Sequence, residues 1–256
     1  MLDENLRELS RRLSQNRRDG TVSDLPFDAL QTEDDAWSVQ SAAASAFADD
    51  ALGYAIVGSA AAVRRSLGIE GPIYSAIPVG TCHVESHHPI RLPPGIIGAQ
   101  CDLVFTMGAS LGAGPVTRET FCSAVLSYQP AIGLVGRRGH LSGQPHLAAI
   151  ADFAFHVATL VSKHHETIDL TAFDRMSLRA SINGNVVLHA RADGQLVDPV
   201  ASAVWLVNDL IKRGRGLRAG DIIAAGALAP ILLQILPGQD LEVEVSGIGS
   251  IAARFT

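Results

Sequence analysis

Leu2, Leu6, Leu9 and Leu13 recur at helical spacing with charged residues between them, and the pattern stops near Gly20. Positions one turn apart share a helix face, so the chain is predicted to open on an amphipathic helix. After Pro26 in a loop, Thr32 stands as an N-cap with Asp35 three positions on. Ala36, Val39, Ala43 and Phe47 then share one face, which predicts a second helix running to about Asp50. Residues 53–58 read as a short buried strand, and Ser59 is placed to cap a helix that stops at Gly68. Residues 73–107 are strand-rich, broken by Pro89, Pro93 and Pro94, with 102–107 the clearest strand.

In the second half, 117–126 is predicted helical and 131–135 a strand whose end is left bare by Gly133, Gly136 and Gly139. Residues 148–161 read as a helix passing into a strand near Phe155. Residues 176–182 alternate, Asn183-Gly184 signals a two-residue turn, and 186–189 return, which predicts a hairpin. Val200, Ala203, Val204, Val207 and Leu210 share a face of a helix over 198–213. The stretch 217–230, LRAGDIIAAGALAP, organises the rest: an apolar run over 221–225 meets Gly226, and a second run bends at Pro230. It reads as a buried strand delivered into a glycine turn, where backbone approaches closely. Alternation over 241–245 and an apolar run at 251–255 close the chain. The predicted class is α+β, with an N-terminal helical part over 1–70 and a β-rich core over 71–256.

Composition narrows the function classes. With 256 residues, 47% hydrophobic and 18% charged, the chain can bury a large core. A net charge of −6 and the lack of a basic stripe with interleaved aromatics exclude nucleic acid as a partner. No run reaches the roughly 18 apolar residues of a membrane span. The start, MLDENLRELSRRL, has no apolar signal-peptide region. Three widely spaced cysteines, Cys82, Cys101 and Cys122, argue against a disulfide framework and for a cytoplasmic location. Few charges and many alanines predict apolar surface hidden between subunits of a homo-oligomer.

The motif order is more specific: GYAI (53–56), AVRRSLG (62–68), PAIGLV (130–135), the hairpin, PVASAVWL (199–206), LRAGDIIAAGALAP and GIGSIAARF (247–255). This order resembles the 2-keto-4-pentenoate hydratase and 4-oxalocrotonate decarboxylase group of the fumarylacetoacetate hydrolase superfamily. The resemblance implies a fumarylacetoacetase C-terminal-like mixed β-sheet core with a rolled sheet, an oligomer, and small carboxylic acid substrates. These are 2-oxo or 2-hydroxydienoic acids from aromatic-ring cleavage. It further implies Mg²⁺ or Mn²⁺ holding the 2-oxo carboxylate, and acid–base groups that move protons along the dienol.

The departures from that pattern concentrate in the pocket. The family's Glu-x-Glu metal pair falls on Gln100 and Asp102, and its third Glu on Gly133. Hard divalent ions want such oxygens, so the metal site is degenerate. The expectation is no confident cofactor, or a weakly held Mg²⁺ or Mn²⁺ completed by substrate and water. The family's lysine falls on Ala55, its loop Asp near Ile73, its strand-end Thr on Ala225 and its late His on Asp198. Its Asp-Asn-x-Ser segment becomes Asp152-Phe153-Ala154-Phe155. Two readings stay open: a hydratase-like lyase with altered or metal-independent chemistry, and a non-catalytic homologue that stabilises a partner or binds a small molecule.

Asp102, as a lone buried carboxylate, is either a general base with a raised pKa or an ordinary partner of a backbone amide. His83, Glu85 and His87 alternate, and either share a strand face that moves a proton or holds a metal, or form a polar edge strand. Arg137 or Arg138 either grips a substrate carboxylate or lies exposed. Ser59, Asp152, Gly226 and Ala227 are the remaining candidates for lining the substrate pocket. His140 and His146 flank a glycine-containing loop over 141–145 that the resemblance places as a mobile cover. His164 and His165 read as a surface turn, and His156 and His189 as packed histidines. Phe153 and Phe155 read as volume fillers and Cys101 as a small buried hydrophobe; no serine or cysteine carries a nucleophile signature.

Overall fold

The computed structural model describes residues 2–47, 50–140, 142–167 and 173–256. The opening helix, α1 (Glu4–Asp19), forms as predicted: Asp3 accepts from Leu6 N at 2.8 Å, and Gly20 ends it at a φ of 63°. β1 (Ser23–Asp24) precedes α2 (Glu33–Phe47), where Thr32 Oγ1 accepts from Asp35 N and Asp35 Oδ2 accepts from Thr32 N. The predicted run of α2 toward Asp50 crosses residues 48–49, which lie outside the described residues, as does position 141 of the expected cover loop.

β2 (Ala51–Val57) leads into α3 (Ala61–Leu67), and here the sequence expectation fails. Ala60 occupies the N-cap without a side-chain bond, while the Ser59 hydroxyl donates to Ala225 O at 3.1 Å. There follow β3 (Ile73–Pro78), β4 (Cys82–Val84), β5 (Ile96–Met107), α4 (Arg118–Ala124) and β6 (Val125–Gly136). β5 and β6 are longer than their apolar patterns suggest because they pair with one another almost throughout, Gln100 opposite Gly133 and Asp102 opposite Ala131. α4 ends early for the same reason, since Val125 already belongs to β6.

β7 (Gly139–His140), just ahead of the expected cover loop, makes a two-residue parallel pair with β1. α5 (Pro145–Ala151) passes through a tight turn at Phe153–Phe155 into β8 (His156–Val161), as expected. β9 (Ser177–Ile182) and β10 (Asn185–Arg191) form the hairpin, with Asn183 at a φ of 50° and Gly184 at 77°. α6 (Pro199–Lys212), capped by Asp198, β11 (Ile222–Ala224), β12 (Asp240–Val245) and β13 (Gly249–Arg254) complete the chain. Among the described residues, no helix is long and apolar enough to cross a membrane.

Seven strands form one mixed sheet in the order β3-β2-β11-β5-β6-β8-β4, and β10-β9-β12-β13 form a second. β3 and β8 stand five places apart yet touch, so the large sheet is rolled. Its inside is marked by Ala55, Ile77, Val104, Ala131, Val161 and Ala224, which come from six strands and meet in one buried cluster. The outside packs mainly against α4, α6 and the second sheet through residues such as Phe105, Phe121 and Leu206. α1 and α2 cover α5 and the Phe153–Phe155 turn through Leu9, Leu13, Val39, Ile150 and Phe155.

β2 and β11 run parallel with Gly53 opposite Ile222. Gly53 has a φ of 149°, and a Cβ there would lie 1.9 Å from Ile222 O. Neither the backbone angle nor the space admits a side chain. Gly53→Ala is expected to cost about 3 kcal/mol or more, seen as a lower urea midpoint with an unchanged slope.

Candidate active site

Alternation along β5 turns Gln100, Asp102 and Val104 to the inside of the roll. Gln100 is 2% exposed and Asp102 1%. On the neighbouring strand, a Cβ at Gly133 would stand 2.4 Å from Asp102 Oδ2 and 3.3 Å from Gln100 Nε2, so glycine is what leaves room for both. On the other side, Ala225 N donates to Leu103 O and Leu228 N to Cys101 O. Three steps of chain there span two on β5, and the surplus bulges at Gly226, whose φ is 83°. A Cβ at Gly226 would fall 2.2 Å from Ser59 Oγ and 3.1 Å from Ile56 O. Ile56 O also accepts from Gln100 Nε2 at 3.3 Å. Ser59, Gly226, Gln100, Asp102 and Gly133 therefore form one constellation, with half-buried Ser59 at its rim. Ala227 follows it in the chain but joins the core beneath α1 and α2.

Burial pushes the Asp102 carboxyl up to about 8, and the Gln100 amide, 3.4 Å from both carboxyl oxygens, pulls only weakly the other way. No cation among the described residues offsets that burial. Near neutral pH Asp102 therefore holds its proton. The Ile56 carbonyl fixes which end of the Gln100 amide is nitrogen. It leaves Gln100 Oε1 buried with no hydrogen-bond partner. A buried acceptor in that state carries a desolvation penalty that a donor on a ligand would relieve.

The donor set does not fit a divalent ion. Mg²⁺ and Mn²⁺ take about six oxygens and favour ionised carboxylates. This face offers one carboxyl, one amide oxygen, and glycine at the third position. Among the described residues, no three histidines, cysteines or acids cluster closely enough to hold a metal ion.

The histidine cluster is not gathered. β4 ends at Val84, His83 pairs with Leu160 of β8 three strands away from β5, and His87 is exposed beyond the strand. Glu85 leaves the alternation to accept from Ala252 N at 2.8 Å. Arg137 is exposed, with its backbone N bonded to Gly95 O. Its neighbour Arg138 is buried and serves Asp152: Nη1 lies 3.1 Å from Asp152 Oδ1, and Arg138 N donates to Oδ2 at 2.7 Å. Burial pushes the Asp152 pKa up, and these Arg138 contacts pull it the other way. The same guanidinium bonds His156 O across a turn in which Phe153, Ala154 and Phe155 all have positive φ, at 51°, 50° and 59°. His146 meets Glu33 at 3.2 Å, and His140 lies exposed near Asp24.

His156 is packed and hydrogen-bonded as the sequence predicts, His189 is exposed instead, and Thr159 is a residue the sequence reading did not single out. Burial, then Arg17 and Arg138, drive the His156 pKa well down, so the ring is neutral. Arg17 Nη2 can only donate, and it lies 3.1 Å from Nδ1. The ring proton therefore sits on Nε2 and is donated to Thr159 Oγ1 at 3.0 Å. Thr159 faces Gly133 across β6 and β8, one strand beyond the Gln100–Asp102 pair. Apolar neighbours disguised this residue as core packing, and no local motif marks it.

The family model described as fumarylacetoacetate (FAA) hydrolase C-terminal matches residues 72–256. A 2-keto-4-pentenoate hydratase of Paraburkholderia xenovorans (strain LB400) is 25% identical over 233 residues, 87% of this chain and 83% of the relative. A second such hydratase, from Dechloromonas aromatica (strain RCB), is 33% identical over 88 residues, 34% of this chain and 32% of the relative. Among solved structures, 4-oxalocrotonate decarboxylase from Pseudomonas putida G7, complexed with magnesium and adipate, superposes with a TM-score of 0.87 at 19% identity. The match covers 100% of this chain and 99% of that one. Fumarylpyruvate hydrolase from Pseudomonas aeruginosa, in complex with Mn²⁺ and pyruvate, gives 0.58 at 14% identity over 79% of this chain and 88% of that one.

Two stability predictions follow from these charges. Asp152→Ala leaves Arg138 buried without its counter-ion and is expected to cost about 3–5 kcal/mol in urea unfolding. Asp102 moves from an ordinary 3.8 in the unfolded chain to about 8 in the fold, so the folded form binds the proton more tightly. Its contribution to stability is complete below about pH 4 and is lost as pH rises to about 8. Asp102→Asn cannot ionise, so it should gain on the wild type across that window, by on the order of 5 kcal/mol at its upper end. Urea titrations at several pH values check both sign and window.

Proposed function

We propose that this chain, which belongs to the fumarylacetoacetate hydrolase family, is a hydratase-like lyase that moves protons with Asp102 and holds no divalent ion through its own side chains. Its substrate is a small 2-oxo or 2-hydroxydienoic acid, or a related enol or lactone. The observation that carries this reading is the Asp102 carboxyl, protonated near neutral pH and set beside Gly133 on the inside of the roll. The names of the curated hydratase relatives support the reaction class.

A carboxyl poised near pH 8 serves as acid and then as base. Asp102 gives its proton to the distal carbon of a conjugated enol while the enol O–H proton leaves to water. The resulting unsaturated ketone is attacked at its β-carbon by water. The Asp102 carboxylate accepts the proton that this water loses, and the enolate recovers the proton released earlier. The net change is addition of one water, with the carboxyl restored. Gln100 orients the carboxyl through its amide nitrogen.

A non-catalytic homologue is the second reading, favoured by Ala55 and Gly133 standing where the family pattern has charged side chains. Ultraviolet loss of 2-hydroxypenta-2,4-dienoate decides between them. The lyase reading expects turnover that survives EDTA, falls about 100-fold or more in Asp102→Asn, and declines above about pH 8 as the carboxyl loses its proton. Turnover that EDTA abolishes, or that Asp102→Asn leaves intact, would overturn it, and no turnover would favour the binding protein.

A further inference from the structure

We propose that the hollow between α2 and the outer face of β3 is a second binding site, which takes a small carboxylic acid with an apolar body and a hydroxyl group. The site lies outside the roll, so it does not depend on the lyase reading. Ile77 of β3 belongs to the buried cluster that marks the inside. Its neighbours Ala76 and Pro78 face the other way, into the hollow.

Three features carry the proposal. First, there is room. The hollow holds about 230 Å³ and is walled by Ala44, Ala51, Ala76, Pro78 and the Phe153 ring. Walls of this kind favour an apolar body that leaves water for them. Second, Gln40 brings a buried acceptor to it. This residue is only 7% exposed, yet it lines the hollow. Its Nε2 donates to Tyr74 O at 3.1 Å and to Ile150 O at 2.6 Å. Both amide hydrogens are thereby spent, and the two carbonyls fix which end of the amide is nitrogen. What Gln40 has left to offer is Oε1, an acceptor that meets no donor among the described residues. A ligand hydroxyl that donates to it relieves the cost of its burial.

Third, Arg17 lines the same hollow. Its guanidinium lies 4.3 Å from the centre of the Phe153 ring and 5.4 Å from that of Phe47, and Nη2 is 3.1 Å from His156 Nδ1. The rings and the histidine hold a planar group that can only donate and that matches the shape of a carboxylate. Beside apolar walls such a pair is stronger than in open water. An acceptor and a cation that share one apolar space select a molecule carrying both a hydroxyl and a carboxylate.

The test is titration calorimetry on the wild-type protein with 3-hydroxybenzoate and 4-hydroxybenzoate, which hold the two groups at different spacings. The better of the two should bind at least about tenfold more tightly than benzoate, which lacks the hydroxyl, and than the matching hydroxybenzyl alcohol, which lacks the charge. Ala44→Leu fills the hollow and should weaken binding about tenfold or more, whereas Asp102→Asn, inside the roll, should leave it unchanged. If circular dichroism shows Ala44→Leu to be misfolded, Ala51→Leu fills the same space from β2, and the wild-type ratios stand whatever the variants do. The proposal is overturned if neither hydroxybenzoate binds, if benzoate or the alcohol binds as well, or if binding responds to Asp102→Asn and not to the filled hollow.

Discussion

A carboxyl shut inside a rolled sheet with no cation beside it has one inexpensive state, the protonated one. Asp102 is held in that condition by geometry on every side. Ala55, Ala131 and Ala224 are small enough for six strands to close around it, and Gly133 and Gly226 let neighbouring backbone come near. Placing an acid there opposes folding at neutral pH, and a residue that opposes folding is a marker of function more than of architecture. The closeness of the wall and the chemistry of the acid are thus one constraint.

That constraint separates this chain from the structures it superposes on. The magnesium-bound decarboxylase shares its fold over the whole length, and the manganese-bound hydrolase over most of it. The frame recurs here, but the positions where the family pattern supplies anionic ligands carry an amide, a protonated acid and a glycine. In the proposed reading, hydrogen bonds and desolvation take over the electrostatic work of a cation.

Much of the fold was legible because its signals are local. The leucines of α1, the reciprocal bonds of Thr32 and Asp35, and the Asn183-Gly184 turn act within a few residues, and the structure keeps them. Ser59 was misread because its hydroxyl answers Ala225, far along the chain, instead of its own helix. The lengths of β5 and β6 were hidden because pairing, not apolar alternation, sets where a strand ends. At the site, Gln100, Asp102 and Gly133 were picked out by the resemblance to the family, and Gly226 by its turn. The pairing of Arg138 with Asp152 and the link from Arg17 through His156 to Thr159 could not, because both join segments that only the folded chain brings together. The alternation of His83, Glu85 and His87 suggested a shared face that ends when β4 stops at Val84.

The reach of Arg17 into the body of the protein has a wider meaning. Similarity to the family model begins at residue 72, yet α1 sends a guanidinium from the opposite end of the sequence onto the Phe153 ring and the His156 nitrogen. Leu9 and Leu13 of the same helix close over Ile150 and Phe155. The edge of the matched family model is therefore not a border of cooperativity. A fragment cut at that edge would open greasy surface and unseat a histidine whose tautomer is set from outside the matched region.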